Sequence, residues 1–207
     1  MKSIILIGGG GHCRSVIDVI EADGTYQIAG ITDQKDKVGE TISGYEIVAT
    51  DNELSGLVSK FENCLITVGQ LKSAALKIKL FNLAKEAGAQ LPVIISPAAT
   101  VSSRADIGEG TIVFHNATVN SGARIGKNSI INTGAIIEHD AVVGDHCHIA
   151  PGAIVNGHCS IGDRCMIGSG AVVIQGVTIG DDIVVGANST VTKDLTEPGI
   201  YVGSPAR

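Results

Sequence analysis

The sequence predicts a small α/β domain with a Rossmann-like parallel sheet, followed by a left-handed parallel β-helix. Two observations predict the β-helix: every sixth residue from Ile95 to Val191 is Ile or Val, and the residue four places later is mostly small. A third observation predicts the α/β domain, because short apolar runs alternate with helical stretches before residue 90. We therefore divide the chain into domains at residues 1–90 and 91–207.

The first domain contains three short apolar runs that we interpret as strands, at residues 4–7, 27–31 and 64–68. Helical stretches are predicted at residues 15–22 and 71–87. In a parallel α/β sheet, ligands bind at the carboxyl ends of the strands. Residues 8–12, 33–34 and 69–70 all map to that edge.

A run of four glycines, residues 8–11, separates the first strand from the first helix. It resembles a dinucleotide-binding loop, but the third glycine of a GxGxxG motif falls on Cys13. Backbone N–H groups at the start of a helix still favour a phosphate. This loop therefore favours a nucleotide or a nucleotide-sugar over NAD.

The second domain consists of six-residue repeats, or hexads, and the position of a residue in its hexad predicts whether its side chain is buried or exposed. Three hexads form one triangular turn, so residues eighteen apart stack, and the branched and small residues both point inward. Cys147, Cys159 and Cys165 occupy the small inward position, which predicts packing rather than catalysis. His115, His146 and His158 fall at corners, where exposed polar residues are usual.

Composition excludes several classes of function. The net charge is −6 and no basic run is present, which argues against nucleic-acid binding. No apolar run is long enough to span a membrane, and the N-terminus lacks the pattern of a signal peptide. The five cysteines contain no CxxC pair, so we expect free thiols, a reducing cytoplasm and no cysteine zinc site.

His139 stands out from the other histidines because Glu138 and Asp140 flank it. A carboxylate bonded to imidazole fixes its tautomer and raises its basicity. Gly157 lies one turn later and presents no side chain above the ring, which leaves room for a ligand. His139 is therefore predicted to be a general base, with the choice between Glu138 and Asp140 as its partner left open.

Several of these features together resemble the bacterial hexapeptide-repeat sugar acyltransferases with an N-terminal nucleotide-sugar domain. They are the hexads, the Ile-Glu-His-Asp segment at 137–140, the Gly-Gly-Gly-Gly-His start at 8–12 and the Val-Gly-Ser-Pro-Ala ending at 202–206. The resemblance implies an acetyl-CoA-dependent N-acetyltransferase for bacterial glycan biosynthesis. Its acceptor would be the 4-amino group of a nucleotide-linked amino-dideoxysugar.

The resemblance also implies a role for particular residues. His139 would be the general base, and Asp140 would raise its basicity. Acetyl-CoA would contact His148, Ser169 and Ala187, in a groove between two coils of a homotrimer, and no metal would be needed. The nucleotide-sugar would be held by Gly10, Gly11, His12, Asp33, Gln34 and Gly69.

Three alternatives remain open at this point. One is O-acetylation of a sugar such as sialic acid. Another is a trimeric metal lyase like the γ-type carbonic anhydrases, with His115, His139 and His158 as the candidate zinc ligands. The third is a nucleotide-sugar binder without catalytic activity. The nucleotide and the sugar also stay undetermined.

Overall fold

The computed structural model describes residues 1–71 and 73–207. Contacts between Cα atoms divide the chain into two compact units, Met1–Gly69 with Ala75–Ile94, and Gln70–Ala74 with Ile95–Arg207. The predicted helix 71–87 includes Lys72, which lies outside the described residues. The observed helix in this region, Ala75–Glu86, begins later than predicted.

The first unit is built on a five-stranded sheet. Its strands are β1 (Lys2–Ile7), β2 (Tyr26–Asp33), β3 (Thr41–Ile42), β4 (Tyr45–Thr50) and β5 (Asn63–Ile66). The strand order is β3-β4-β2-β1-β5, with all pairs parallel except β3 and β4. The side chains of β1 from Ile4 to Ile7 are fully buried, as expected for a central strand covered on both faces.

Helices α1 (Gly11–Asp23), α2 (Leu54–Phe61) and α3 (Ala75–Glu86) complete this unit, with short 3₁₀ turns at Lys35–Lys37 and Asp51–Glu53. The predicted strands at 4–7 and 27–31 and the helix at 15–22 lie within β1, β2 and α1, whereas β5 ends before residue 68. Strands β3 and β4 and helix α2 were not predicted. Among the described residues, no helix is both long and apolar enough to cross a membrane.

The second unit is a coil of two- and three-residue strands stacked in three parallel sheets, which confirms the predicted β-helix. The first sheet contains Thr100–Val101, Thr118–Val119, Ile136–Ile137, Ile154–Val155, Val172–Val173 and Thr190–Val191. The second contains Asp106–Ile107, Arg124–Ile125, Val142–Val143, Ser160–Ile161 and Thr178–Ile179. The third contains Ile94–Ile95, Ile112–Val113, Ile130–Ile131, His148–Ile149, Met166–Ile167, Ile183–Val185 and Gly199–Tyr201.

The register of the coil follows the predicted stacking. Val143, for example, pairs with Ile161, eighteen residues later. Cys147, Cys159 and Cys165 are buried as predicted, at 1% exposure or less. Cys147 donates from Sγ to the carbonyl oxygen of Gly162 at 3.0 Å, as Ser129 does from Oγ to Gly144 one turn earlier. The inward cysteines therefore belong to the packing and hydrogen bonding of the coil.

The corners contain a backbone feature that the sequence analysis did not predict. From Gly110 to Asn188 every sixth residue adopts the left-handed conformation, and many of these residues are not glycine. They are Asn116, Asn128, Asp140, His146, His158, Arg164, Asp182 and Asn188. Asparagine and aspartate are favoured there because their short polar side chains bond to nearby backbone. Residues at these corners project from the coil, and the candidate catalytic group is built at one of them.

Candidate active site

His139 and Asp140 lie at the corner between the first and second sheets of the coil. Nδ1 of His139 is 2.9 Å from Oδ2 of Asp140. An ionised carboxylate only accepts hydrogen bonds, so Nδ1 carries the proton and Nε2 carries the lone pair. Among the described residues Nε2 has no partner, and the His139 side chain is 49% exposed. A neutral imidazole in this state can accept a proton from a ligand.

Gly157 makes the position of the His139 ring possible. It is buried one turn above His139, and a Cβ added to it would lie 2.7 Å from Nε2. The predicted absence of a side chain above His139 is therefore confirmed. The space is filled by the imidazole itself, and the ligand would have to approach from the exposed side of the ring.

Glu138 makes different contacts from Asp140. Its Oε2 accepts a hydrogen bond from Asn120 Nδ2 at 2.9 Å and one from the backbone N–H of His139 at 3.3 Å. The imidazole therefore bonds to Asp140, whereas Glu138 holds the backbone N–H of His139. The hydrogen bond from His139 holds the pKa of Asp140 below its usual range, so this carboxyl stays ionised.

His158 joins this group from the next turn of the coil. Its Nε2 lies 3.7 Å from Asp140 Oδ2, and its ring meets the His139 ring edge to face, with centroids 5.1 Å apart. His158 was predicted to occupy an exposed corner, and its contact with Asp140 was not predicted. The spacing does indicate this contact, because His158 lies eighteen residues after Asp140. The ligand atoms of these three residues lie within 4.8 Å of one another, so they could hold a metal ion.

The predicted zinc ligands do not come together as a trio. His115 lies at another corner, where its Nδ1 is 2.6 Å from Ser96 Oγ. Within the described part of the chain, the one cluster with metal-binding geometry joins His139 and His158 to Asp140 rather than to His115. The arrangement of three histidines required by the carbonic anhydrase alternative is therefore not formed in the single chain.

The residues expected to contact acetyl-CoA lie elsewhere on the coil. His148 projects from the third sheet, and Ser169 and Ala187 are exposed at the corner between the third and first sheets. Both ring nitrogens of His148 have partners: Nδ1 lies 2.8 Å from the carbonyl oxygen of Gln70, and Nε2 lies 3.0 Å from Asn132 Nδ2. Since His139 lies at the corner between the first and second sheets, the three residues lie on other parts of the same coil.

In the α/β unit, Gly10 and Gly11 form the start of helix α1. Gly10 is the N-cap, no side chain caps this end, and the first turn contains no acidic residue. A Cβ on Gly10 or Gly11 would meet nothing within 4 Å, so this end of the helix is open. Gly69 lies close to His12, with 3.5 Å between the position of an added Cβ and the Cβ of His12. The open helix start is suited to an anion.

Asp33 holds the glycine loop in place. Its Oδ2 accepts the backbone N–H of Gly9 at 2.7 Å, its Oδ1 accepts that of Gln34 at 2.7 Å, and Lys37 Nζ lies 3.2 Å from both oxygens. Burial by itself raises the pKa of this carboxyl, but the hydrogen bonds and Lys37 outweigh burial and lower it. Asp33 is thus an ionised anchor between β2 and the loop.

A cavity of about 360 Å³ lies at the carboxyl ends of β2 and β4. Asp33, Gln34 and Asp51 contribute to its walls, with Lys35 and Lys79 as basic residues. Ligands of parallel α/β sheets bind at this edge. Two of the predicted substrate-binding residues, Asp33 and Gln34, therefore line a cavity in the expected place.

Comparison with known families matches both parts of the chain. Residues 3–77 match the PglD N-terminal domain. Residues 122–157 match the bacterial transferase hexapeptide repeats, and residues 159–193 match the hexapeptide repeat of succinyl-transferase. The coil and these family matches define the class: the protein is a hexapeptide-repeat acyltransferase. No curated protein sequence matches the chain significantly.

Solved structures identify the branch of this class. A perosamine N-acetyltransferase from Caulobacter crescentus, in complex with CoA and GDP-perosamine, shares 35% identity over 100% of this chain and 97% of its own, with a TM-score of 0.93. The acetyltransferase domain of PglB from Neisseria gonorrhoeae, with acetyl coenzyme A, shares 30% over 100% and 98%, with a TM-score of 0.91. WeeI from Acinetobacter baumannii shares 26% over 100% and 99%, with a TM-score of 0.88. The chain belongs to the family of nucleotide-sugar N-acetyltransferases that combine a PglD N-terminal domain with hexapeptide repeats.

Proposed function

We propose that this protein transfers the acetyl group of acetyl-CoA to the 4-amino group of a nucleotide-linked amino-dideoxysugar, with His139 as the general base. The observation that carries the proposal is the state of the His139 ring. Nδ1 is bonded to the Asp140 carboxylate at 2.9 Å, which leaves the Nε2 lone pair free toward solvent. The perosamine enzyme, which binds GDP-perosamine and CoA, has also been solved with one histidine replaced by Asn or Ala.

The chemistry needs one proton acceptor. The neutral amine of the sugar attacks the thioester carbonyl, a C–N bond forms, and the nitrogen loses a proton to Nε2 of His139. Asp140 stabilises the resulting imidazolium at Nδ1. The C–S bond then breaks, and the CoA thiolate leaves and takes up a proton. General base catalysis of this kind contributes roughly 10²- to 10⁴-fold.

We further propose that the active protein is a homotrimer with acetyl-CoA bound between neighbouring coils. His139 and Asp140 project from one corner of the coil, while Ser169 and Ala187 project from another. Because these corners are different corners of the coil, we propose that one thioester meets both groups only where two coils lie side by side. A second copy that places its Ser169 corner beside His139 would complete the site, because closed rings form by such head-to-tail contacts.

The nucleotide is proposed to bind the α/β unit. Its diphosphate would lie at the open start of helix α1, near Gly10 and Gly11, where backbone N–H groups favour an anion. The nucleobase would occupy the cavity of about 360 Å³ beside Gln34 and Asp51. Asp33 would act indirectly, because its carboxylate already holds Gly9. His12 and Gly69, which lie beside each other, would support the same loop.

We place this reaction in the cytoplasm and in bacterial glycan biosynthesis. The five cysteines are buried and form no disulfide bond, which fits a reducing compartment. The acceptor proposed here is a nucleotide-activated sugar, the form in which sugars are supplied for glycan assembly.

The test is acetyl-CoA turnover on a panel of 4-amino-4,6-dideoxysugars linked to GDP, UDP, dTDP or CMP, each paired with the corresponding 4-hydroxy sugar. A GDP-linked amino sugar is the first to test, given the likeness to the perosamine enzyme. We expect CoA release with at least one amine, and an N-acetylated product by mass spectrometry. Turnover with hydroxyl acceptors alone would contradict the proposal and favour O-acetylation.

The role of His139 as general base is tested in the same assay with His139→Asn. This variant should lose about 10²- to 10⁴-fold in kcat/KM on the preferred amine. The control is His146→Asn, which makes the same substitution at another corner of the coil, where the imidazole lies 3.0 Å from Asn128 Nδ2. A His139→Asn variant with near wild-type turnover would show that another group accepts the proton.

A further inference from the structure

We propose that the nucleotide-linked sugar of this protein carries guanine, and that the carboxylate of Asp51 recognises this nucleobase through its N1–H and N2 amino groups. The inference rests on the proposed function, because it concerns the nucleotide of the proposed acceptor. It assigns the cavity at the carboxyl ends of β2 and β4 to one nucleobase, and it adds a residue that the sequence analysis did not single out.

Helix α3 provides an apolar wall of this cavity. Leu76, Leu80 and Leu83 line it, and their spacing of four and three residues puts them on one face of the helix. Leu80 is buried, whereas Leu76 is 54% exposed although it is a large apolar residue. Small-molecule sites combine such apolar walls with a few polar groups that fix orientation. A flat nucleobase stacked on this face of α3 would cover the exposed part of Leu76.

Asp51 provides a hydrogen-bond acceptor with a fixed orientation. It follows β4 directly, at the start of the 3₁₀ turn Asp51–Glu53, and it lines the cavity. Its Oδ1 accepts a hydrogen bond at 2.7 Å from Oγ1 of Thr32, a residue of β2 that is fully buried. A carboxylate has about four acceptor positions on its two oxygens, and among the described residues Thr32 is the one donor to this side chain. The carboxylate therefore keeps acceptor positions for a ligand that offers N–H groups.

The pattern of donors and acceptors on the base edge distinguishes guanine from the other nucleobases. Guanine presents two adjacent donors, N1–H and the N2 amino group, which fit the two oxygens of a carboxylate. Uracil and thymine present one N3–H between two carbonyl oxygens, and those oxygens would face the negative charge. Adenine and cytosine present an amino group beside a ring nitrogen that accepts. Lys35 and Lys79 also line the cavity, and lysine is a usual donor to guanine O6 and N7.

The cavity also lies at a suitable distance from the proposed diphosphate site. In the sheet, β2 lies between β1 and β4. Adjacent strands are about 4.8 Å apart, so the open start of helix α1, which follows β1, lies about 10 Å from the end of β4. An extended nucleoside diphosphate spans such a distance. Its diphosphate and its base can therefore occupy the helix start and the cavity at the same time.

Calorimetric titration of the full chain with GDP, UDP, dTDP, CDP and ADP tests the choice of nucleobase. We expect GDP to bind most tightly, with an affinity roughly 10- to 100-fold above those of UDP and dTDP. Inosine diphosphate keeps N1–H but lacks the N2 amino group, so it should bind about 10-fold more weakly than GDP.

The variant Asp51→Asn tests which residue recognises the base. Its amide oxygen can still accept from Thr32, which turns the amide N–H₂ toward the donors of guanine. GDP affinity should fall by roughly 10- to 100-fold, and the difference between GDP and inosine diphosphate should disappear. UDP affinity should stay the same or rise, because uracil offers acceptors to the new donor. The matched control is Asp36→Asn, which removes the same charge from an exposed residue that does not line the cavity and should keep the preference for GDP.

The outcomes separate this inference from the proposed function. Tighter binding of UDP or dTDP than of GDP, or no binding of any diphosphate, would overturn the inference, while acetyl transfer to an amine linked to another nucleotide would leave the proposed function standing. A preference for GDP that survives in Asp51→Asn would also overturn it, because another residue would then recognise the base. If the titrations give the expected order but no amino sugar is acetylated, the guanine site stands and the proposed function is wrong.

Discussion

Gly157→Ala is expected to disable the site without altering any polar group. A Cβ at this position would lie 2.7 Å from Nε2 and 2.8 Å from Cε1 of the His139 ring. Ordinary carbon contacts start near about 3.5 Å, so the imidazole must move by roughly 1 Å or rotate toward solvent. A misplacement of about 1 Å in a reacting group can cost about 10²-fold. We therefore expect kcat/KM to fall by about 10²-fold.

The fold should tolerate this substitution. The φ of Gly157 lies outside the left-handed region, and the His139 side chain is half-exposed and able to rotate away. The free energy of unfolding should therefore stay within about 1 kcal/mol of the wild type. Gly56→Ala, where a Cβ meets nothing within 4 Å, is the matched control and should retain full activity. Wild-type kcat/KM in Gly157→Ala would refute the argument that Gly157 sets the position of the base.

Three further predictions address other parts of the structure. Asp140→Asn should keep the left-handed corner but remove the charge that stabilises the imidazolium, so kcat/KM should fall by about 10²-fold; a kcat/KM close to the wild-type value would argue against the pairing with His139. Asp33→Asn should lower the free energy of unfolding by about 1–2 kcal/mol at pH 7. Because folding lowers the pKa of Asp33, urea unfolding should show this difference in full above the ordinary pKa of 3.8, and the difference should be lost as the pH falls through the lower folded pKa. Cys147→Ser should keep the hydrogen bond to Gly162 and full activity; strong loss of turnover with an intact fold would point to thiol chemistry.

The coil could be predicted almost completely from its sequence because one period fixes which residues are buried. Stacking by eighteen residues also predicted that Gly157 lies above His139. The same spacing places His158 one turn above Asp140, so their contact was also predictable from the sequence. Which of those carboxylates contacts the ring depends on the left-handed φ of Asp140, and hexad spacing does not encode that angle.

The α/β unit was harder to predict. Strands β3 and β4 are short or half-exposed and include polar residues such as Glu46, so they lack the continuous apolar run of β1. The role of Asp33 was also only partly predictable. Its position after a strand marked the ligand-binding edge, but its bonds to Gly9 and Lys37 depend on how the loop returns over the sheet. Sequence spacing locates such a residue without showing what its oxygens contact.

The most direct test of His139 as the general base is an experimental structure of the protein with CoA and the nucleotide-linked amino sugar that it turns over. We expect the sugar amine nitrogen to lie about 2.6–3.2 Å from His139 Nε2, with His139 Nδ1 still bonded to Asp140. An amine nitrogen placed against a different titratable side chain, with Nε2 of His139 facing solvent, would contradict this role of His139.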